Sequence, residues 1–197
     1  MAANFYNGKK ILVTGHTGFK GSWLTLWLNK MGAKITGASL APTDELGAFN
    51  AMGIANLCID LRQDINQYEQ LKSIVVESKP EIVFHLAAQP LVLESYKTPL
   101  ETLQTNIIGT ANLLEACRNI NSIKAIVIIT TDKCYENNEW VYGYRETDRL
   151  GGKDLYSASK AAAELVVSSY RHSFFRSLNS PAIATVRAGN VIGGGDW

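Results

Sequence analysis

Apolar residues along this chain fall into two alternating patterns. Short runs rich in β-branched residues stand at 10–14 (KILVT), 34–40, 57–61, 81–87, 124–130 and 182–188. Each has the length and apolar character of a buried strand. Between them lie longer stretches with apolar residues three and four apart. Leu24, Trp27, Leu28 and Met31 give residues 19–31 a helical stripe, and Gly32 supplies a stop. Residues 67–78 read as an amphipathic helix that ends before Pro80. Residues 99–119 read as a long helix with Leu103, Ile107, Leu114 and Cys117 on its apolar side, and residues 155–178 as a second long helix. Residues 41–55 are loop with a short helix, 136–154 a polar, aromatic loop, and 189–197 a Gly-rich tail.

Strand and helix alternating in this way predict an α/β fold: one doubly wound parallel sheet (a Rossmann fold) with helices on both faces. Residues 1–197 then form one domain. Such sheets bind ligands at the carboxyl ends of their strands, where the strand order reverses. Candidate functional residues are therefore sought at strand ends and helix starts.

Composition narrows the partners. The chain has 197 residues, 46% of them hydrophobic and 19% charged, with a formal net charge of +1. That balance gives no reason to expect nucleic acid or an anionic membrane as partner. The longest apolar runs, such as 123–131, are too short to span a bilayer. The first ten residues lack the apolar stretch of a signal peptide. Cys58, Cys117 and Cys134 lack paired metal-ligand spacing. Reduced, mostly buried thiols in a cytoplasmic protein are the simplest reading, with no metal site.

Gly15, Thr17, Gly18, Phe19 and Gly21 lie in the turn Thr14-Gly15-His16-Thr17-Gly18-Phe19-Lys20-Gly21, between the first strand and the first helix. Glycines spaced G-x-x-G-x-x-G allow a tight turn, a close backbone approach to a pyrophosphate, and helix packing on the sheet. The helix start offers free N–H groups to phosphate oxygens. A plain βα turn is the other reading.

Tyr156-Ser157-Ala158-Ser159-Lys160 opens the last helix. Residues four apart share a helix face, so Tyr156 and Lys160 can address one substrate atom together. An ammonium nearby favours phenolate and draws a tyrosine pKa down toward neutrality. Such a tyrosine can take a proton from a hydroxyl while hydride leaves the same carbon. The other reading is a solvated helix face.

The glycine spacing resembles that of the extended short-chain dehydrogenases. The resemblance implies NAD as cofactor and assigns several contacts to it. Asp60 and Leu61 would hold the adenine ring. Leu86, Ala87, Ala88 and Gln89, in the segment His85-Leu86-Ala87-Ala88-Gln89, would pass beside the pyrophosphate and ribose. Thr130, Asn106, Tyr156 and Lys160 complete the cofactor set. Other readings are a cap or turn for Asp60, helix–sheet packing for the alanines, and a tolerated helical Asn for Asn106. The chain departs from the NAD pattern after the second strand, where Ser39-Leu40-Ala41-Pro42 replaces the usual acid. No Arg stands where it would favour a 2′-phosphate.

Thr131-Asp132-Lys133-Cys134-Tyr135 fixes the subclass. Thr131 matches the hydroxyl residue that bonds the reacting oxygen beside Tyr156. A charged pair at a buried strand end is costly unless it is used. Sugar-nucleotide epimerases similar to this chain lack an acid there. Asp132-Lys133 with Cys134-Tyr135-Glu136-Asn137, then Gly143-Tyr144-Arg145-Glu146, Leu150-Gly151-Gly152 and Gly189-Asn190-Val191-Ile192-Gly193-Gly194-Gly195-Asp196-Trp197, resembles the CDP-glucose 4,6-dehydratases. The resemblance implies Thr131, Asp132, Lys133, Tyr156 and Lys160 as catalytic residues. Asp132 would protonate the leaving C6 hydroxyl. Lys133 stands in the place of the C5 base, and serves as one only if burial or nearby positive charge depresses its pKa. Water or another group is the alternative. Thr131 and Asn190 would meet the nucleotide-sugar substrate, although Asn190 also reads as a turn residue.

Two positions depart from the family picture: Leu93 stands for an Arg, which could alter a substrate or subunit contact, and Arg149 stands for a Pro, with little effect expected. Relatives continue into a C-terminal substrate lobe, so that lobe is expected to be largely absent here. They pair through a four-helix interface, which implies a homodimer. An epimerase or reductase of the same fold and an inactive NAD-binding fragment are the rival readings.

Overall fold

The computed structural model describes residues 5–196. Six strands form one all-parallel sheet. They are β1 (Lys10–Thr14), β2 (Lys34–Ser39), β3 (Ile59–Arg62), β4 (Ile82–His85), β5 (Ala125–Thr131) and β6 (Ala182–Ala188), in the spatial order β3-β2-β1-β4-β5-β6. The order reverses between β1 and β4, so the switch point lies where Thr14 pairs with His85. The predicted architecture is the observed one.

Alternation along each strand divides the core into two layers. On β1, Leu12 faces one side, and Ile11 and Val13 face the other. Leu12, Val83, Ile126 and Ile128 pack with α3 (Tyr68–Ser78), α5 (Pro99–Leu103, Gln104–Ile108 and Gly109–Cys117 in succession) and α6 (Leu155–Phe174) through Leu71, Val75, Leu113, Leu114 and Val167. Ile11, Val13, Ile35 and Ile82 pack with Leu28 of α1 (Phe19–Lys30). Each fully buried aliphatic side chain contributes roughly 1.5–3 kcal/mol. Trp27, counted above in the apolar stripe, is 65% exposed, so the buried face of α1 is narrower than its sequence suggests.

The loop after β2 carries the short helix α2 (Ala48–Ala51) and a 3-10 turn (Ile54–Asn56). That turn delays the third strand by two residues and places Asp60 inside it. An additional helix, α4 (Val92–Lys97), was not legible, because six residues carry too little periodicity. Pro99 restricts Thr98 and separates α4 from α5. Helix α5 runs in three pieces: Pro99–Leu103, a π turn at Gln104–Ile108, and Gly109–Cys117. Helix α6 ends at Phe174, earlier than the apolar pattern indicates. Leu93 lies on α4 and is 78% exposed. Arg149 ion-pairs with Glu136 at 2.9 Å on the surface, so it has a contact where little was expected. Among the described residues, no helix is long and apolar enough to cross a membrane. The three cysteines are free thiols, with Cys117 and Cys134 buried.

Two histidines are sealed beneath the carboxyl edge of the sheet. Burial lowers the pKa of His16, and burial followed by the charge of Lys160 lowers that of His85 to about 3. The unfolded chain takes these protons near pH 6.5 and the fold refuses them. Stability is therefore fully present above pH 6.5 and falls as the pH drops below it. His85 alone should remove roughly 2 kcal/mol of unfolding free energy between pH 6.5 and 5. Urea unfolding across that window measures the loss, and equal midpoints at the two ends would mean that the folded protein accepts the proton.

Candidate active site

The glycine turn is built by backbone contacts. Gly15 has φ +77°, and a Cβ there would lie 2.5 Å from the Ala87 nitrogen. A Cβ on Gly21 would strike the Gly15 carbonyl. The turn closes through Gly15 N–H to Ala38 O at 2.9 Å and Gly18 N–H to Gly15 O at 3.2 Å. Ser22 braces it by donating to His16 O and Gly18 O. Gly18 caps α1, and no side chain bonds the helix start. A Cβ on Gly18 would meet only the Gly15 carbonyl, at 3.5 Å, so the outer side of the turn is open. The helix dipole and the amides of its first turn therefore face an accessible surface.

At the end of β2, the Thr17 and Ser39 hydroxyls share a 2.7 Å hydrogen bond, and Thr17 also donates to Leu40 O. These neutral groups stand where an acid was missed in the sequence. Asp60 differs from expectation. Its Oδ1 bonds His16 Nε2 at 2.7 Å and its Oδ2 accepts from Arg62 at 2.7 Å, so its carboxylate ties the turn to β3. It is neither a helix cap nor a free ligand group. Leu61, Leu86, Ala87 and Ala88 are half-buried along the same edge, and Phe19 stands at the start of α1.

The catalytic candidates converge from β5 and α6. Asp154 caps α6, its two carboxylate oxygens accepting from Ser157 N–H at 2.9 Å and Ser157 Oγ at 2.7 Å. This start buries Tyr156 and Lys160 one turn apart, each 8% exposed. Thr131 ends β5 and hydrogen-bonds the Tyr156 phenol. Its hydroxyl also donates to Asp132 Oδ1 at 3.1 Å. A Cβ on Gly189 would lie 3.3 Å from Asp132 Oδ2, so the carboxylate sits between Thr131 and the segment after β6. Asp132 and Lys133 are exposed, which removes the burial argument for their use. Their location beside Thr131 and Tyr156 carries that argument instead.

The electrostatics correct one expectation. Burial raises the Tyr156 pKa, the Thr131 hydrogen bond opposes that rise, and Asp132 and Asp154 add to it. The phenol is therefore held protonated, whereas its sequence context predicted a lowered pKa. Lys160 moves instead, to about 8, through burial first and the charge of Lys20 second.

Asn106 lies in the π turn, 1% exposed. The turn interrupts the regular α-helical pattern at Asn106. Asn106 Oδ1 accepts from Gln89 N–H at 2.8 Å, and Nδ2 donates to Gln89 O and Ser159 Oγ. The Gln89 side chain is engaged by Thr102 and by the backbone of Leu91. Thr130 points away from the cleft and donates to Glu164, which Arg187 grips with two donors at 3.0 Å. The proton of the Thr130 hydroxyl is thus committed to Glu164. Asn190 is exposed two residues beyond β6, and Trp197 of the same motif lies outside the described residues.

Sequence reading missed Lys20. It lines a cleft of about 420 Å³ with Phe19, Trp23, Val191, Ile192 and Gly193. Its charge acts on Lys160, and Lys133 acts on it. A cation inside a glycine turn was the available signal. His85 was quoted only as part of a motif, yet it is buried between Thr14 and Thr110.

The sequence profile of the GDP-mannose 4,6 dehydratase family matches residues 12–181. This chain belongs to that family. Within it and around it, the chain is 52% identical over 198 residues to the CDP-glucose 4,6-dehydratase of Salmonella typhimurium, covering 98% of this chain and 55% of that protein. It is 34% identical to the dTDP-D-glucose 4,6-dehydratase of Dictyostelium discoideum, covering 94% of this chain and 44% of the relative. The chain thus spans about half the length of these relatives. Among solved structures, UDP-glucose 4-epimerase of Thermotoga maritima aligns with a TM-score of 0.78 at 26% identity, covering 90% of this chain and 54% of that one. An NAD-dependent NDP-hexosamine 5,6-dehydratase gives 0.78 at 24% identity over 96% of this chain and 57% of that one, a likeness of fold. This chain thus has a fold like that of an epimerase, and the fold alone does not decide the chemistry.

Proposed function

We propose that this chain carries the NAD-binding and catalytic residues of a nucleotide-sugar 4,6-dehydratase, a hydro-lyase, acting on CDP-glucose. The observation that carries this reading is the Asp132 carboxylate beside the Thr131–Tyr156 pair at the end of β5. The likeness to the Salmonella CDP-glucose 4,6-dehydratase supports the choice of substrate. In this reading residues 1–197 are the cofactor-binding and catalytic unit of a cytoplasmic enzyme, and Asn190 meets the substrate.

The chain's own features fit NAD. The open, uncapped start of α1 and the glycines that exclude side chains would seat the pyrophosphate. Ala87 and Ala88 would lie along it, and the Thr17–Ser39 hydroxyls would face the adenosine ribose. Asp60 would act there through its backbone or by holding the turn, and Leu61 by packing. When bound, NAD would supply the hydride acceptor for oxidation at sugar C4 and the donor for reduction at C6.

The protein's side chains manage the protons. Tyr156 first gives its own proton to solvent as Lys160 holds positive charge behind it, and the phenolate then removes the proton of the C4 hydroxyl. Thr131 orients the same oxygen. The resulting 4-ketone acidifies the C5 hydrogen, which Lys133 or a water removes. Asp132 takes up a proton from solvent and passes it to the departing C6 hydroxyl, which leaves as water. Exposed Leu100, Ile108, Leu165 and Phe174 on α5 and α6 support a homodimer through these helices.

The test is product analysis. The protein is incubated with NAD and, separately, CDP-, dTDP- and GDP-hexoses, and alkali-induced absorbance of 4-keto products is read. Only CDP-glucose should give the 4-keto-6-deoxy sugar. A C4 epimer as product from any of them would replace the dehydratase reading.

A further inference from the structure

A chain of buried hydrogen bonds joins the glycine turn to the catalytic helix, and its direction can be worked out. The Thr110 hydroxyl donates to the Asn106 carbonyl at 2.7 Å. Toward His85 Nε2, 3.1 Å away, it can then only accept. Nε2 must carry the ring proton, and Nδ1 is the bare acceptor. Thr14 Oγ1 donates to Nδ1 at 2.7 Å and itself accepts from Ala87 N–H at 3.4 Å. His85 is 2% exposed and Thr14 and Thr110 are 0% and 3%, so no solvent competes for these groups.

The far end of the chain reaches Tyr156. The Thr110 hydroxyl reaches the Asn106 carbonyl one turn back along the helix, a back-bond open to a helical threonine. The Asn106 side chain donates to Ser159 Oγ at 2.8 Å, and Ser159 donates to Tyr156 O at 2.7 Å. Thr14 precedes Gly15 directly, and Ala87 is the residue whose nitrogen abuts Gly15. Buried networks of this kind are rigid when fully paired.

We propose that His85 is a positioning residue: fixed between Thr14 and Thr110 as the Nε2–H tautomer, it couples ligand seating on the Gly15 turn to the placement of Tyr156. This rests on the dinucleotide part of the reading above and not on the identity of the sugar. A ligand that stiffens the turn should be felt at α6 without touching it.

ADP is the probe, since it carries the adenosine and diphosphate and lacks the end that would contact Tyr156 or Lys160. Amide hydrogen exchange of segments 104–110 and 155–160 is measured with and without ADP. In the 197-residue protein ADP should slow both segments about fivefold or more. Thr110→Val, which keeps the shape and removes the hydroxyl, should lose this protection at 155–160. Thr110→Ser should keep it. Equal protection in Thr110→Val overturns the proposal. Should that variant fail to fold, ring ¹⁵N shifts of wild-type His85 decide: Nε2–H supports the relay and Nδ1–H overturns it. Relayed protection without conversion of any nucleotide sugar would remove the dehydratase reading and leave the relay standing. Conversion of CDP-glucose with equal protection in Thr110→Val would do the reverse.

Discussion

Tyr156→Phe should lower turnover of CDP-glucose by about 10³-fold, with NAD still bound. In the proposed reaction the phenol accepts the C4 hydroxyl proton. Thr131 bonds it, and Lys160 follows one turn later on the same face. Burial holds the phenol protonated in the free protein, so the proton transfer depends on partners that assemble around it. Removing one oxygen leaves the packing of the ring intact, and the fold should survive. The measurement pairs stopped-flow absorbance of reduced nicotinamide with product yield. Both should fall together, because oxidation at C4 precedes every later step. Turnover within tenfold of wild type would assign the proton to another group.

Asp132→Asn should split the reaction. The first oxidation depends on Thr131 and Tyr156 and should persist, while loss of water slows by about 10²–10⁴-fold. Reduced nicotinamide should then accumulate and the 4-keto-6-deoxy product should be nearly absent. The amide keeps an oxygen that can accept from the Thr131 hydroxyl, so the geometry at the end of β5 is preserved. An epimerase would be affected differently, since its cycle has no leaving hydroxyl to protonate. Wild-type product formation by Asp132→Asn would place the acid elsewhere and end the dehydratase reading.

Much of the fold was legible because the two periods in the chain are clean. β1 and β6 coincide with their apolar runs, since each is bounded by turn residues. β3 was displaced because its register is set by pairing with β2 and by the 3-10 turn before it, which no local pattern records. The site was legible where spacing alone creates it, as in Tyr156 and Lys160 on one helix face. It was not legible where the decisive fact is orientation. Thr130 and Thr131 are neighbours of the same type, yet alternation sends one to Glu164 and the other to Tyr156. The commitment of Asp60 to His16 is likewise set by the glycine turn meeting β3, and Arg62 follows on the same strand. The direction of the Tyr156 shift depends on burial, which a motif does not carry.

The abutment of Gly15 against Ala87 has a consequence for redesign. Main chain meets main chain there, and a single added methyl has nowhere to go. Laboratory evolution that seeks a different nucleotide will find this seat all or nothing: substitutions at Gly15 or Gly21 should yield dead protein, never altered preference. The adjustable dial lies at the neighbouring pair of hydroxyls, Thr17 and Ser39, which meet through side chains and not through main chain.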